Sequence, residues 1–162
     1  MRAASRWFFI LAAVATLVGC DHATKFVAKK ELESAPPHYV IGRVLDLRYV
    51  ENRDIAFSAL RFIPHDVRRP LLIVVQGAII LGIGFVLSRR RVVGVARVAL
   101  ILALAGALGN YTDRLFRGYV VDFIHVPFWP VFNVADAYLV VGMGLLLVVG
   151  LRMKPPARAA DA

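Results

Sequence analysis

Val131 to Leu151 reads VFNVADAYLVVGMGLLLVVGL, an apolar run in which Asn133 and Asp136 are the conspicuous exceptions. A helix needs ~20 mostly apolar residues to cross the hydrocarbon of a bilayer, so this stretch is long enough to span one. Crossing makes Asp136 expensive. An aspartate near a helix centre costs about 2.5–3.5 kcal/mol on insertion scales, and an ionisable group inside a span is therefore a functional candidate by default.

Composition extends that reading to the whole chain. Of 162 residues, 59% are hydrophobic, above the roughly 45–50% of a soluble domain, and the mean hydropathy is +0.67. Three more runs are long enough to be spans: Trp7 to about Thr24, Leu71 to Leu87, and Val92 to Gly109. Arg97, near the start of the third, can snorkel to the headgroups. The net charge of +9 invites a nucleic-acid reading, but the basic residues flank the apolar runs instead of forming a stripe, so no nucleic-acid partner is expected. A lone cysteine, Cys20, leaves no disulfide framework and no cysteine-based zinc site, and no metal or other cofactor is expected.

Lysines and arginines near the span ends set the orientation. Arg2 and Arg6 precede the first span, Arg89, Arg90 and Arg91 fill the turn between the second and third, and Arg152, Lys154 and Arg158 follow the fourth. Parity puts these on one side, the cytoplasm, with both termini. The outer side receives 26–70 and 110–130. In the longer segment, Tyr39–Ile41 and Val44–Val50 read as short strands with Gly42-Arg43 as the turn. Pro36-Pro37 ends the helix leaving the first span, and Pro64 and Pro70 bracket the approach to the second. The expected fold is thus membrane all-α: four transmembrane helices with a small outer-face, periplasmic β-sheet between the first and second. Residues 1–154 form one domain, and 155–162 a disordered cytoplasmic tail.

The same parity gathers polar groups. Asp21 and Lys25 close the first span, Asn110, Asp113 and Arg114 follow the third, Asp122 lies in the connection to the fourth, and Asp136 lies near its start; all fall on the outer side. Two carboxyl groups brought close cannot both ionise cheaply. One keeps a proton and serves as acid while the other serves as base, and a water between them can attack a carbonyl. A cysteine nucleophile competes poorly, because His22 points to a different helix face from Cys20. A transporter or proton-conducting protein would spread its carboxylates through the membrane depth. The stretch Leu17-Val18-Gly19-Cys20 looks like a lipoprotein cleavage site, but a secreted lipoprotein would continue as a polar domain, and three spans follow instead.

Five blocks in this order resemble the lipoprotein signal peptidases (signal peptidase II), bacterial integral membrane aspartyl endopeptidases: Asp21-His22-Ala23-Thr24-Lys25; Glu51-Asn52-Arg53-Asp54-Ile55-Ala56-Phe57-Ser58; Gly106 to Leu115; Gly118 to Ile124; and Phe132-Asn133-Val134-Ala135-Asp136. The resemblance implies cleavage of the signal peptide from diacylglyceryl-modified prolipoproteins just before the lipidated cysteine. It implies Asp122 and Asp136 as the catalytic pair. Asn133 would orient the site, Asn52 would hold the substrate peptide, and Arg114 would pair with a carboxylate or substrate backbone. Gly106, Asn110, Asp113, Asp21 and Lys25 match further positions that support the site or bind substrate. It also implies a multi-pass protein of the bacterial inner membrane, acting as a monomer among lipids, with its site at the periplasmic face. Asp54 stands where the family usually has glycine, which reduces the freedom of that loop, and the connection from Asp122 to Asp136 is shorter than in many family members.

Overall fold

The computed structural model describes residues 3–42, 44–53 and 64–152. Arg43, the loop position Asp54 and the tail 155–162 lie outside the described residues. Four helices, α1 (Ala3–Leu32), α2 (His65–Ser88), α3 (Gly94–Phe116) and α4 (Val134–Arg152), are each long and apolar enough to cross a membrane. Three strands, β1 (His38–Ile41), β2 (Leu45–Asn52) and β3 (Val120–His125), form one antiparallel sheet in the order β1-β2-β3.

Two helices outrun their hydropathic signal. α1 has 30 residues, about 45 Å at 1.5 Å each, against roughly 30 Å of hydrocarbon. Its last two turns therefore stand clear of the apolar layer, with Lys29 and Lys30 at the C-terminus, where cations suit the helix dipole. α3 does not stop at Gly109; it continues through Asn110, Asp113 and Arg114 to Phe116, so these residues ride on its last two turns instead of following it. α2 starts after Pro64, and Pro70, expected outside the helix, lies within it.

α3 is central, packing against α1, α2 and α4. Its contact with α4 is close because small residues face each other. A Cβ on Gly142 would meet the Ala99 carbonyl oxygen at 2.7 Å, and one on Gly106 would collide with the Ala135 carbonyl oxygen. Further along, Ile10, Val14 and Ala105 form a buried cluster against which Ile101, Leu104, Leu108 and Tyr138 pack. At the opposite end of the bundle from the sheet, Arg6 donates to the Ser88 carbonyl oxygen at 2.9 Å and closes the α2–α3 turn against α1.

The two strands expected between α1 and α2 are present, and a third, not expected, comes from the α3–α4 connection. β2 pairs with β3 in the register Asp46↔His125, Val50↔Asp122 and Asn52↔Val120. Phe132 then bridges back to Ile124, with its N–H donating to the Ile124 carbonyl oxygen at 2.9 Å and its own carbonyl oxygen accepting at 2.8 Å. That bridge folds the β3–α4 link into a narrow loop and places the start of α4 beside Asp122.

Candidate active site

The site is assembled at the sheet end of the bundle. Along β3 side chains alternate between faces. Asp122 faces a cavity of ≈ 340 Å³ whose walls include Asn52, Gln76, Asn110, Arg114, Trp129 and Asp136. Phe123, next in the strand, lines an apolar groove with Leu47 and Val27. Asp122 is 1% exposed. Its Oδ2 accepts from Asn52 Nδ2 at 2.8 Å and its Oδ1 from Asn133 Nδ2 at 2.6 Å. Burial, with the nearby Asp136 carboxyl adding to it, pushes the Asp122 carboxyl up to about 6 despite these two donors.

Asp136 is placed by the way α4 begins. Asn133 caps the helix, its Oδ1 accepting the Asp136 backbone N–H at 2.9 Å, while Asp136 Oδ2 accepts the Asn133 backbone N–H at 3.3 Å. This is the reciprocal arrangement of a capping box, with an aspartate three residues after the cap. The other oxygen, Oδ1, accepts from Asn110 Nδ2 at 2.7 Å. Asn133, fully buried, thus touches both carboxyl-bearing residues, donating an amide hydrogen to Asp122 and accepting the Asp136 backbone N–H with its oxygen.

A charged layer underlies this pair. Lys25 Nζ forms ion pairs with Asp21 Oδ2 at 2.7 Å and Asp113 Oδ2 at 2.9 Å, and donates a hydrogen bond to Asn110 Oδ1 at 3.0 Å. Asp21 also accepts the Ala135 backbone N–H at 2.9 Å, placing a carboxylate from α1 against the N-terminal turn of α4, where the dipole favours it. Asp113 Oδ1 pairs with Arg117 at 2.6 Å. Arg114 donates to Gln76 Oε1 at 3.3 Å. Among the described residues, the buried acids within helices gather at this one end.

The family described as Signal peptidase (SPase) II matches residues 11–152. Lipoprotein signal peptidases from Rhodococcus jostii and Aquifex aeolicus are 38% and 33% identical, covering 88% and 92% of this chain and 71% and 89% of their own lengths.

The chain belongs to the signal peptidase II family.

Another relative, the lipoprotein signal peptidase of Geobacter metallireducens, is 35% identical over 91% of both chains. The fold is likewise shared with a bacterial membrane enzyme solved by the in meso method at 2.3 Å resolution, with a TM-score of 0.80, 23% identity, and coverage of 95% of this chain and 94% of that one. As a signal peptidase II, this is an aspartic-type peptide hydrolase of a multi-pass bacterial membrane protein family.

Against that family pattern, all ten residues singled out in the sequence converge on the same end of the molecule, but by different routes. Asp122, Asp136, Asn52, Asn110 and Arg114 line the cavity. Asn133, Lys25, Asp21 and Asp113 sit beneath it, and Gly106 lies one helical turn before Asn110 at the α3–α4 contact. Sequence reasoning passed over Gln76, which lines the cavity and donates to the Ala107 carbonyl oxygen at 3.3 Å. Its signal was present: an amide in the middle of an otherwise apolar span. It also missed Gly109, whose missing Cβ leaves room for Asp21 Oδ2 at 2.6 Å, and Arg117, the partner of Asp113. Trp129, in the β3–α4 link, also forms part of the cavity wall.

Proposed function

We propose that this signal peptidase II hydrolyses the signal peptide of diacylglyceryl-modified prolipoproteins just before the lipidated cysteine, with Asp122 and Asp136 activating the attacking water. The observation that carries the reading is the placement of two carboxyl groups, from a strand and from a helix N-terminus, around one amide at the wall of an open cavity. Asp122 is the more buried and holds the proton at rest, while Asp136, open to the cavity, is the base. Charge supports a single shared proton. Four carboxyl groups (Asp21, Asp113, Asp122, Asp136) face three cationic side chains (Lys25, Arg114, Arg117), and in a low-dielectric site uncompensated charge is costly.

In the cycle, Asp136 takes a proton from water as the oxygen attacks the scissile carbonyl, and Asp122 donates its proton to the carbonyl oxygen. On collapse of the tetrahedral intermediate the amine leaves with a proton from Asp136, and Asp122 regains its own from the former carbonyl oxygen. Asn52 and Arg114, at the cavity wall, offer donors to the substrate backbone. The reaction needs no metal. The substrate's acyl chains stay among the lipids while its peptide lies across the cavity. The arginine-lined end of the bundle faces the cytoplasm with both termini, the site faces the periplasm, and the chain works as a monomer.

Purified protein is incubated with a diacylglyceryl-modified prolipoprotein beside its Asp122→Asn and Asp136→Asn variants. Wild-type cleavage with a loss of ~10³-fold or more in each variant is expected. Cleavage near the wild-type rate in either variant would remove the pair, and no cleavage by the wild type would remove the function.

A further inference from the structure

The asparagines around the carboxyl pair matter by which end of the amide they present. An amide has an oxygen that only accepts and an NH₂ that only donates. Asn110 stands between Asp136 and Lys25, and reversing it would turn its NH₂ toward an ammonium and its oxygen toward a carboxyl oxygen. Lys25 has donors only. Its contact at 3.0 Å therefore forces the oxygen of Asn110 inward, and the NH₂ is left to meet Asp136 Oδ1 at 2.7 Å. Asn133 Nδ2, at 3.1 Å from the same oxygen, favours the same orientation, but as a neutral and longer bond. A bond from a charged donor is roughly twice as strong.

We infer that Lys25 is a positioning residue for catalysis: it acts through Asn110, locking that amide as a hydrogen-bond donor to Asp136, and its ion pairs with Asp21 and Asp113 hold the ammonium in place for this task. The proposal rests on the reading of Asp136 as a member of the catalytic pair. It separates Lys25 from the substrate-contacting residues, since Lys25 is fully buried and does not line the cavity. It also gives the first-span Asp21–Lys25 pair a role beyond an i,i+4 ion pair. Asp21 Oδ2 lies 2.7 Å from the ammonium as its ion-pair partner, and the other oxygen holds the first turn of α4 through the Ala135 N–H. The same residue thereby sets the position of both the donor and the carboxyl that receives it.

Removing Lys25 alone strands two buried carboxylates and endangers folding, so the test keeps charge balanced. Asp21→Asn is compared with Asp21→Asn/Lys25→Met, which leaves Asp113 with Arg117. Both are assayed for cleavage of a diacylglyceryl-modified prolipoprotein peptide, for kcat and KM, and for thermal unfolding in detergent. The same Lys25→Met step is then repeated with Asn110→Ala present. With Asn110 in place, loss of Lys25 is expected to lower kcat ~10²-fold with KM changed less than about twofold, as for removal of one oriented donor. With Asn110→Ala, the step is expected to cost less than about threefold, because the intermediary is gone. An unchanged kcat in the first comparison would overturn the proposal, as would an equal loss in both backgrounds or a loss matched by failure to fold. If the wild-type protein cleaves nothing, it is the functional reading that fails; if it cleaves and only these variants disagree, Lys25 alone is reassigned.

Discussion

At the scale of single residues, the site depends on groups whose protonation or amide orientation is dictated by what lies against them. Asp122 is the sharpest case. Its carboxyl titrates at about 6 in the folded chain and near 3.9 when unfolded, so between those values the folded state holds a proton that the unfolded state has lost. Stability from this group is full below about pH 4 and is lost as pH rises through about 6, a change on the order of 3 kcal/mol. Thermal unfolding in detergent should show the midpoint falling across that window, and Asp122→Asn should flatten it; an unchanged slope in the variant would remove the assignment. Because Asp122 is the acid of the proposed cycle, kcat/KM should fall as pH rises through the same region, and a profile flat to pH 8 would transfer the acid's role elsewhere. Asn133 offers a separate test, because it does two jobs. Asn133→Ser keeps a good helix cap but withdraws the amide N–H that Asp122 accepts. Cleavage is expected to fall ~10²-fold or more, with stability lowered less than in Asn133→Ala. Asn133→Ala loses the cap as well, and should lose both. Equal stability of the two variants would argue against the capping role.

Secondary-structure elements bring these residues into register through close packing, and here glycine matters for what it lacks. Gly106 touches the Ala135 backbone one turn before Asn110. A methyl there must push α3 from α4 where Asn110 reaches for Asp136. Overpacking of this kind costs about 1–3 kcal/mol, and Gly106→Ala is expected to lose cleavage out of proportion to stability. Gly144, on α4 with nothing within 4 Å of an added Cβ, is the control: Gly144→Ala should match wild type in both. Full activity in Gly106→Ala would mean that the helices can part without moving the pair. The four helices were legible in the sequence because each is a long apolar run, and the β1–β2 hairpin because it alternates around a glycine turn. The end of α3 was not, since hydropathy measures what faces lipid, and Asn110, Asp113 and Arg114 turn inward while the helix continues. β3 was missed for another reason. Val120–His125 is six residues long, and its pairing partner lies some seventy residues away in β2, a distance at which local pattern carries no information. The convergence of carboxyl groups at one end was readable from span parity alone. Their hydrogen-bond partners were not, because Asn133 as a cap and Asn110 as a donor are facts of three-dimensional contact.

On the scale of the whole molecule, the two ends of the bundle differ in chemistry. One carries Arg6, Arg89, Arg90, Arg91 and Arg152 around the α2–α3 turn, and the other carries the sheet, the cavity and the buried ion pairs. Basic residues flanking short loops are retained on the cytoplasmic side, and the proposed orientation, with the cavity opening outward, obeys this asymmetry. The lone Cys20 makes the point testable, since a Cys20→Ser chain is free of thiols. A cysteine introduced at Tyr39, 61% exposed on β1, should react in intact spheroplasts with a thiol reagent that cannot cross membranes. One at Arg90, exposed in the α2–α3 turn, should react only after the membrane is permeabilised. Retained cleavage in both variants would show that the fold is undisturbed, neither position being near the cavity. The reverse labelling pattern would put the site in the cytoplasm and overturn the proposed orientation. Labelling of both positions in intact cells would mean a mixed topology, which the concentration of arginine at one end argues against. The proposed orientation thus rests on the same charge distribution that leaves the opposite end free to bury Lys25 among carboxylates instead of presenting it to the headgroups.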